Sequence, residues 1–292
     1  MHPTGWLSTY LSGYIHRDPS IGNVLTTANP VKRKVFEVPE KFLDHLSLLK
    51  DKGMEGEIRV LCERVKQLVV ELGISDECTG FIIDGDLAIP WKESFSGEIQ
   101  GAKWVSCSQL PILGPCLMQS QGTPGFMSRH LATAAIFGEA YLRSPVDDLE
   151  SFFWVAFWSV LFNEDNDHLL SPGERLVRRE LAKGSNGKAT ICLFVVARTS
   201  DIMQRFYPLL KAWWFKLQDK EDEWAEKVEL CAPAGAGEDY YLPRFHRSAL
   251  QGVVDILEVV SRYWNDELCW DSWTGPTQSS LYETLESDRM VG

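Results

Sequence analysis

The chain contains two groups of polar side chains whose types suit the transfer of a phosphoryl group. The first is H-R-D-x-x-x-x-N, formed by His16, Arg17, Asp18 and Asn23. The second is Asp84, which ends an apolar run about sixty residues further on. Phosphoryl transfer needs one carboxylate to take a hydroxyl proton, and a second carboxylate with a carboxamide oxygen to hold magnesium. Asp18, Asp84 and Asn23 can fill these three roles.

The order of the two signatures resembles that of a protein-kinase catalytic lobe. Only fifteen residues precede His16, and they contain neither a G-x-G-x-x-G loop nor a V-A-I-K lysine to hold the ATP phosphates. Closely spaced glycines elsewhere, such as Gly235 and Gly237, follow no predicted strand and are interpreted as loop. We therefore expect the nucleotide-gripping lobe to be absent, through a truncated gene or true loss, and this chain alone to be weak or inactive.

Length and composition predict an intracellular globular protein. The 292 residues are 45% hydrophobic, enough for a sizeable core in one large domain or two small ones. A net charge of -12 disfavours nucleic acid as a partner, because no stripe of Lys and Arg offsets the 41 acidic residues. Seven cysteines form no C-x-x-C pair and leave an odd number, which indicates reduced thiols in the cytoplasm or nucleus and no zinc site.

The sequence predicts neither a secretory signal nor a membrane span. The N-terminus has no basic start and no long apolar stretch. The longest apolar run, from Phe152 to Phe162, is too short to cross a bilayer and is interpreted as a buried helix. The eleven tryptophans are interpreted as residues of the core or its rim.

Around the catalytic motif, the pattern predicts two strands separated by an insertion at about residues 28 to 80. Asn23 to Thr27 is typical of one strand, and residues 81 to 83 form a second strand that delivers Asp84 to its end. The insertion contains a helix that ends at Gly73. Its apolar face comprises Ile58, Leu61, Val65, Leu68 and Leu72. We expect this face to dock on the same lobe, with another protein as the alternative partner.

The second half of the sequence is predicted to be helical. Residues 91 to 122 are interpreted as a loop that Gly122 to Met127 closes. Ser144 to Asp147 is a capping signature, with a hydroxyl, a proline at the first helical position and an acid three residues on. It begins a helix from Leu149 to Phe162 that is apolar on nearly all sides and belongs in the centre of a fold. Two further helices are predicted, Ser200 to Leu217 and Ser248 to Tyr263.

Four ordered motifs resemble those of the fungal-type protein kinases. Members of that family have H-R-D-x-S-x-G-N, D-x-D in place of D-F-G, G-T-x-x-F-M, and D-D-L-E-S-F. The matching residues are Asp18 to Asn23, Phe81 to Ala88, Gly122 to Ser128, and Asp147 to Phe153. The resemblance spans most of the chain. It implies a mainly α fold with a small β-hairpin, in which residues 1 to 292 form a protein-kinase-like large (C-terminal) lobe without the N-terminal lobe.

The resemblance also implies a serine/threonine protein kinase that uses ATP and Mg²⁺ and acts on a protein substrate. Asp18 would be the catalytic base, while Asn23 and Asp84 would be magnesium ligands. Leu25 would pack beneath the adenine, and Thr123 would line the path of the phosphoacceptor.

Three further residues take supporting roles in the same resemblance. Arg17 would steady the activation segment, and His16 would be a packing residue of the internal spine. Asp148, at the start of the central helix, would accept hydrogen bonds from the backbone of the catalytic loop.

The sequence departs from the usual kinase pattern at three places. Ser20 stands where serine/threonine kinases have a lysine near the transferred phosphate, which weakens charge stabilisation in the transition state, although serine is usual for this family. Gly85 replaces the aromatic residue after the metal-binding aspartate and frees the backbone there. Arg129 and His130 stand where an acidic residue often ends the activation segment, so the usual buried ion pair is not expected.

Two alternatives remain open from the sequence. One is a non-catalytic pseudokinase or protein-interaction module on the same lobe, which the absent glycine-rich loop and Gly85 favour. The other is a small-molecule phosphotransferase, since antibiotic kinases share H-x-D-x-x-x-x-N, but Gly122 to Met127 argues against it because such enzymes need no peptide-docking segment. The sequence indicates neither the protein substrate nor the oligomeric state.

Overall fold

A computed structural model describes residues 4–83, 85, 88–91, 123, 125–137, 142–162, 171–182 and 200–264. The described chain is mainly helical, as predicted. The helices are α1 (Thr4–Leu11), α2 (Glu40–Ser47), α3 (Lys52–Glu71), α4 (Arg129–Phe137), α5 (Pro145–Leu161), α6 (Pro172–Ala182), α7 (Asp201–Trp224) and α8 (Glu238–Trp264). The strands are β1 (Tyr14–Ile15), β2 (Val24–Lys32), β3 (Glu77–Ile82) and β4 (Ile89–Pro90). Among the described residues, no helix is long and apolar enough to span a membrane.

The four strands form two antiparallel pairs that bracket the predicted catalytic segments. β1 pairs with β4, and β2 pairs with β3, beginning with Val24 opposite Ile82. Residues 16–23 connect β1 to β2, while residues 83–88 connect β3 to β4. Because both connections leave the same two ladders, Ile83, at the start of the second connection, lies beside Asn23, at the end of the first.

The predicted insertion is helical, but its boundaries differ from the expected 28 to 80. β2 continues to Lys32 instead of ending at Thr27, and β3 begins at Glu77, so helices α2 and α3 lie between residues 33 and 76. The strand passes through the proline at position 30. A shift of register between Thr26 and Val31 accommodates it, which is the setting in which a sheet tolerates proline.

Helix α3 packs on the rest of the described fold through the predicted apolar face. It packs chiefly against α8, and Ile58, Val65 and Leu68 are fully or almost fully buried. Its start lies six residues before Ile58, because the Asp51 side chain accepts a hydrogen bond from Met54 N and caps the helix. Ion pairs at the rim, including Arg64 with Glu258, add to the contact between α3 and α8.

Helix α5 is the centre of the core. Ser144 and Asp147 form the predicted capping box, in which the Ser144 hydroxyl accepts from Val146 N and Asp147 Oδ2 accepts from Ser144 N at 2.8 Å. Every residue of the helix except Ala156 is buried. The tryptophans at positions 6, 91, 154, 158, 213, 214 and 224 are all buried, as predicted, and Trp6, Trp213 and Trp214 pack against aromatic residues of this helix.

Candidate active site

The segment between β1 and β2 is a tight loop that holds the H-R-D-x-x-x-x-N residues. His16 is buried, and Arg17 has a φ of 73°, in the left-handed region that side chains with a Cβ seldom adopt. Residues Ile21–Asn23 form a single 3-10 turn, with Asn23 N donating to Ser20 O at 3.0 Å. The loop thus folds back so that Asn23 faces Asp18.

The Asp18 carboxylate is oriented by Asn23 from within the loop. Asn23 Nδ2 donates to Asp18 Oδ2 and to the Asp18 carbonyl oxygen, both at 3.0 Å. Since the amide nitrogen is used in this way, the Oδ1 atom of Asn23 is the one with the chemistry of a cation ligand. The structure therefore brings these two predicted residues together.

Thr123 contacts the same carboxylate from a segment more than one hundred residues away. Its backbone N donates to Asp18 Oδ1 at 2.7 Å, and its hydroxyl donates to Asp18 Oδ2 at 3.2 Å. Phe126 N and Met127 N both donate to the Thr123 carbonyl, so Thr123 begins a turn. The Asp18 carboxylate is consequently held from two sides.

Asp84 lies outside the described residues, but the chain on both sides of it is described. Ile83 N donates to Asn23 O at 2.8 Å, which continues the β2–β3 ladder to the residue before Asp84. On the other side, Ala88 N donates to Gly85 O at 2.8 Å and closes a turn. The described main chain thus runs beside the catalytic loop up to Ile83.

The donor set around the loop fits a hard divalent cation. Carboxylate and carboxamide oxygens are the protein ligands that Mg²⁺ prefers, and Asn23 and Asp84 would supply one of each. Among the described residues, which do not include Asp84, no group of three or more His, Cys, Asp or Glu could hold a metal ion. A site built from these two residues would therefore leave most of the coordination positions to phosphate oxygens and water, as is usual for Mg²⁺.

Leu25 and Ser20 flank the loop in different environments. Leu25 follows the loop on β2, opposite Phe81, and 41% of its surface is exposed. Ser20 is buried and precedes the 3-10 turn. The described residues also line a cavity of about 250 Å³ between α3, α7 and α8, but none of the predicted site residues lines it.

The catalytic loop is fixed to the core by a buried cluster that we call the catalytic-loop anchor. It consists of Trp6, Arg17, Arg143 and Asp148. Asp148 Oδ2 accepts from Arg17 N at 3.3 Å and from Trp6 Nε1 at 2.9 Å, and Asp148 Oδ1 accepts from Arg143 Nη2 at 2.9 Å. The expected hydrogen bond from the loop backbone to Asp148 is thus present. Burial lowers the pKa of Arg17, and the charge of Arg143 lowers it further.

A second cluster, the segment anchor, fixes the residues that follow Thr123. It consists of Arg129, His130, Glu150 and Glu221. Arg129 N donates to Glu150 Oε1 at 3.0 Å, and Arg129 Nη2 donates to Glu221 Oε2 at 2.8 Å. The guanidinium also lies over the Trp214 ring, 4.2 Å from its centroid. An ion pair of Arg129 with a glutamate therefore exists where the sequence suggested none.

The segment anchor contains a titratable pair. His130 Nε2 lies 3.5 Å from Glu221 Oε2, and this hydrogen bond raises the pKa of His130. Burial by itself raises the pKa of Glu221, but the hydrogen bonds to His130 and Glu150 and the Arg129 charge bring it below its ordinary value. The two anchors therefore differ in how they respond to pH.

One family of known proteins matches this chain. Over residues 4–160, more than half of the 292 residues, the chain matches the family described as fungal protein kinase. The chain belongs to the fungal protein kinase family. The matched range of the fungal protein kinase contains the catalytic loop, Thr123 and almost all of α5. No curated protein and no solved structure matches the chain.

Sequence reasoning missed four residues that hold the site of this fungal protein kinase. Trp6, Arg143, Glu150 and Glu221 contact partners that are distant in the sequence or lie outside a recognised motif. In the sequence, only Arg129, which stands where an acidic residue is usual, indicated a position that needs different interaction partners. A buried arginine just before a capped helix, as at position 143, is a signal that could have been followed.

Proposed function

We propose that this chain carries the catalytic lobe of a serine/threonine protein kinase, which transfers the γ-phosphoryl group of ATP-Mg to a hydroxyl of a protein. Membership in the fungal protein kinase family indicates a kinase-related function. The observation that carries the finer proposal is the orientation of the Asp18 carboxylate by Asn23 and Thr123.

The Asp18 carboxylate retains the capacity to accept a proton. Three hydrogen bonds from described side chains and backbone use three of its roughly four lone-pair positions. A substrate hydroxyl placed at the remaining position of Oδ1 would be aligned for proton transfer as phosphorus is attacked. Thr123, which borders this position, would line the path of the phosphoacceptor.

The remaining predicted residues take supporting roles in this proposal. Asn23 and Asp84 would hold Mg²⁺, which when bound neutralises charge that develops on the phosphate oxygens. Leu25 would pack beneath the adenine, since its side chain is partly exposed beside the loop. Arg17 would steady the activation segment, and Ser20 would leave the transferred phosphate without a neighbouring lysine.

Residues 1–292 would form one large lobe with a helical insertion between the two strands at the site. The glycine-rich loop and the V-A-I-K lysine that hold ATP phosphates in kinases occur nowhere in the sequence. Without these donors ATP is poorly positioned, so we expect the chain alone to transfer phosphate slowly or not at all.

The test measures phosphate transfer from labelled ATP-Mg to protein substrates. Both this chain and a longer polypeptide that includes the upstream coding sequence are assayed. Asp18→Asn and Asp84→Ala should abolish transfer, while the matched control Asp44→Asn, on the exposed side of α2, should leave it unchanged. Equal transfer by the Asp18→Asn variant and the unsubstituted protein would rule out the proposed role of Asp18.

A non-catalytic interaction module is the second candidate. Exposed Leu25 and Ile83 on the strands beside the site favour it, because a partner could cover them. A magnesium-dependent thermal shift with ATP, together with turnover that Asp84→Ala abolishes, would exclude it. Small alcohols and amines tested as acceptors beside protein substrates would distinguish a small-molecule phosphotransferase.

A further inference from the structure

Arg143 is a buried cation whose hydrogen bonds converge on the catalytic loop. Its side chain is 9% exposed and lies just before the Ser144 cap of α5. The Nη2 atom donates to the Arg17 carbonyl at 2.8 Å and to Asp148 Oδ1 at 2.9 Å. A single nitrogen thus bridges the loop backbone and the carboxylate that supports it.

The charges in the catalytic-loop anchor do not balance. Two guanidiniums, from Arg17 and Arg143, face one carboxylate, Asp148. Within the described part of the chain, Arg17 Nε and the Nε and Nη1 atoms of Arg143 are buried without a hydrogen-bond partner. Burial of unpaired donors on a charged group is unfavourable.

The Arg17 peptide is the part of the loop that these hydrogen bonds stabilise. Its left-handed conformation, with φ at 73°, is unfavourable for a side chain with a Cβ. The residue is held at both ends, since its N–H donates to Asp148 and its carbonyl accepts from Arg143. Asp18 follows directly, so the direction of its carboxylate depends on how firmly this peptide is fixed.

We propose that Arg143 is a positioning residue for phosphoryl transfer, which holds the Arg17 peptide in its left-handed conformation and thereby aims Asp18 at the acceptor hydroxyl. The inference rests on the proposed function for its catalytic consequence, but the effect on the loop is independent of it. A purely structural role would instead affect the folding of the whole lobe. The positioning role and the purely structural role can be distinguished by experiment.

The experiment compares Arg143→Lys and Arg143→Met with the unsubstituted protein and with Arg175→Met, an exposed arginine on α6, in the longest active polypeptide. Lysine keeps the charge but lacks the planar fork of the guanidinium. We expect kcat to fall about 10²-fold in both Arg143 variants, with the KM values for ATP and protein substrate within about twofold, because misplacement of about 1 Å has this effect. An unchanged kcat would overturn the proposal. A loss of kcat equal to the fraction of the variant protein that is unfolded would overturn it as well.

Amide hydrogen exchange supplies the readout that does not need activity. The N–H groups of Arg17 and Asp18 should exchange faster in both Arg143 variants, while those of α5 keep their protection. This result would support the positioning role even if neither the unsubstituted protein nor Asp18→Asn transfers phosphate, in which case the proposed function alone would fail. Unchanged exchange at these two amides would refute the role of Arg143.

Discussion

The two anchors of this fungal protein kinase pair their charges in different ways. In the catalytic-loop anchor, the Arg143 guanidinium is ion-paired with Asp148 and Arg17 donates to Asp148 through its backbone N–H, whereas in the segment anchor two carboxylates share Arg129. Both use an acid from α5, and Asp148 and Glu150 are two residues apart, so they leave the helix in different directions. One helix thus supports the loop that carries Asp18 and the segment that carries Thr123.

The charged residues of the two anchors determine which anchor can respond to pH. Arginine stays protonated in neutral solution, so the catalytic-loop anchor holds its charges at any physiological pH. The segment anchor includes His130, a titratable side chain whose pKa is raised above its ordinary value of 6.5. A fixed support for Asp18 is therefore combined with a pH-dependent support for Thr123.

The largest expected effect follows from removal of the single carboxylate in the catalytic-loop anchor. Asp148→Asn leaves the buried Arg143 guanidinium without its partner carboxylate, and loss of one partner from a buried ion pair costs about 3–5 kcal/mol. Equilibrium urea unfolding, followed by tryptophan fluorescence, measures the loss. Asp44→Asn serves as the exposed control. Equal stability of the two variants would show that Asp148 does not stabilise the loop.

A smaller loss is expected from the segment anchor, because Arg129 keeps a second carboxylate. Glu221→Gln removes one charge-assisted hydrogen bond and should lower the free energy of unfolding by about 1.5–3 kcal/mol. Glu226→Gln, nearby and exposed, is the control for the urea measurement. If Glu221→Gln lowered the free energy of unfolding as much as Asp148→Asn does, Glu150 would not compensate for the loss of Glu221. The two anchors would then not differ in this respect.

A third substitution tests whether α5 supports both anchors together. A Cβ at Gly252 would clash with Leu149 Cδ1, and Leu149, which lies between the two anchoring acids in the sequence, is fully buried. Gly252→Val should cost about 1–3 kcal/mol more than Gly56→Val, whose Cβ meets nothing within 4 Å. Hydrogen exchange should then accelerate at both Arg17 and Arg129. Acceleration at only one of them would show that the anchors are supported separately.

The smallest effect is the pH dependence of the segment anchor. The pKa of His130 is raised from 6.5 in the folded state, so its contribution is complete below about pH 6.5 and is lost as pH rises through the raised pKa. Because the imidazole is more than half exposed, the contribution is about 0.2–1 kcal/mol. His130→Gln should therefore be less stable than the unsubstituted protein at pH 6 and equal to it at pH 9, as measured by thermal unfolding. A difference that grows with pH would reverse this assignment.

The local parts of the site and fold were predictable from the sequence. Asp18 and Asn23 are five residues apart in one loop, and the Ser144 cap is set by four consecutive residues. The apolar face of α3 was predictable because its spacing follows the helical period. Two of its buried members, Cys62 and Val69, were still omitted. Burial raises the pKa of the Cys62 thiol to about 12, so it behaves as an apolar residue there.

The remaining features depend on contacts that no local pattern encodes. The bond between Trp6 and Asp148 joins residues 142 positions apart, and Arg129 and Glu221 are separated by 92 positions. Helix α8 begins at Glu238, ten residues before the predicted Ser248, and continues through Pro243. Such outcomes are decided by tertiary packing, which overrides local propensity.

The two-part ladder between β2 and β3 has a mechanical consequence for the insertion. The strands pair at Val24–Ile82 beside the catalytic loop and again at Lys32–Glu77 beside the helices, with the irregular register between. A tension applied through α2 or α3 would be borne first by the pairs next to the helices, and the bond from Ile83 to Asn23 would be the last in the series to open. A partner that pulls on α2 or α3 would thus strain the distant strand pairs, while the geometry of the loop that carries Asp18 stays in place.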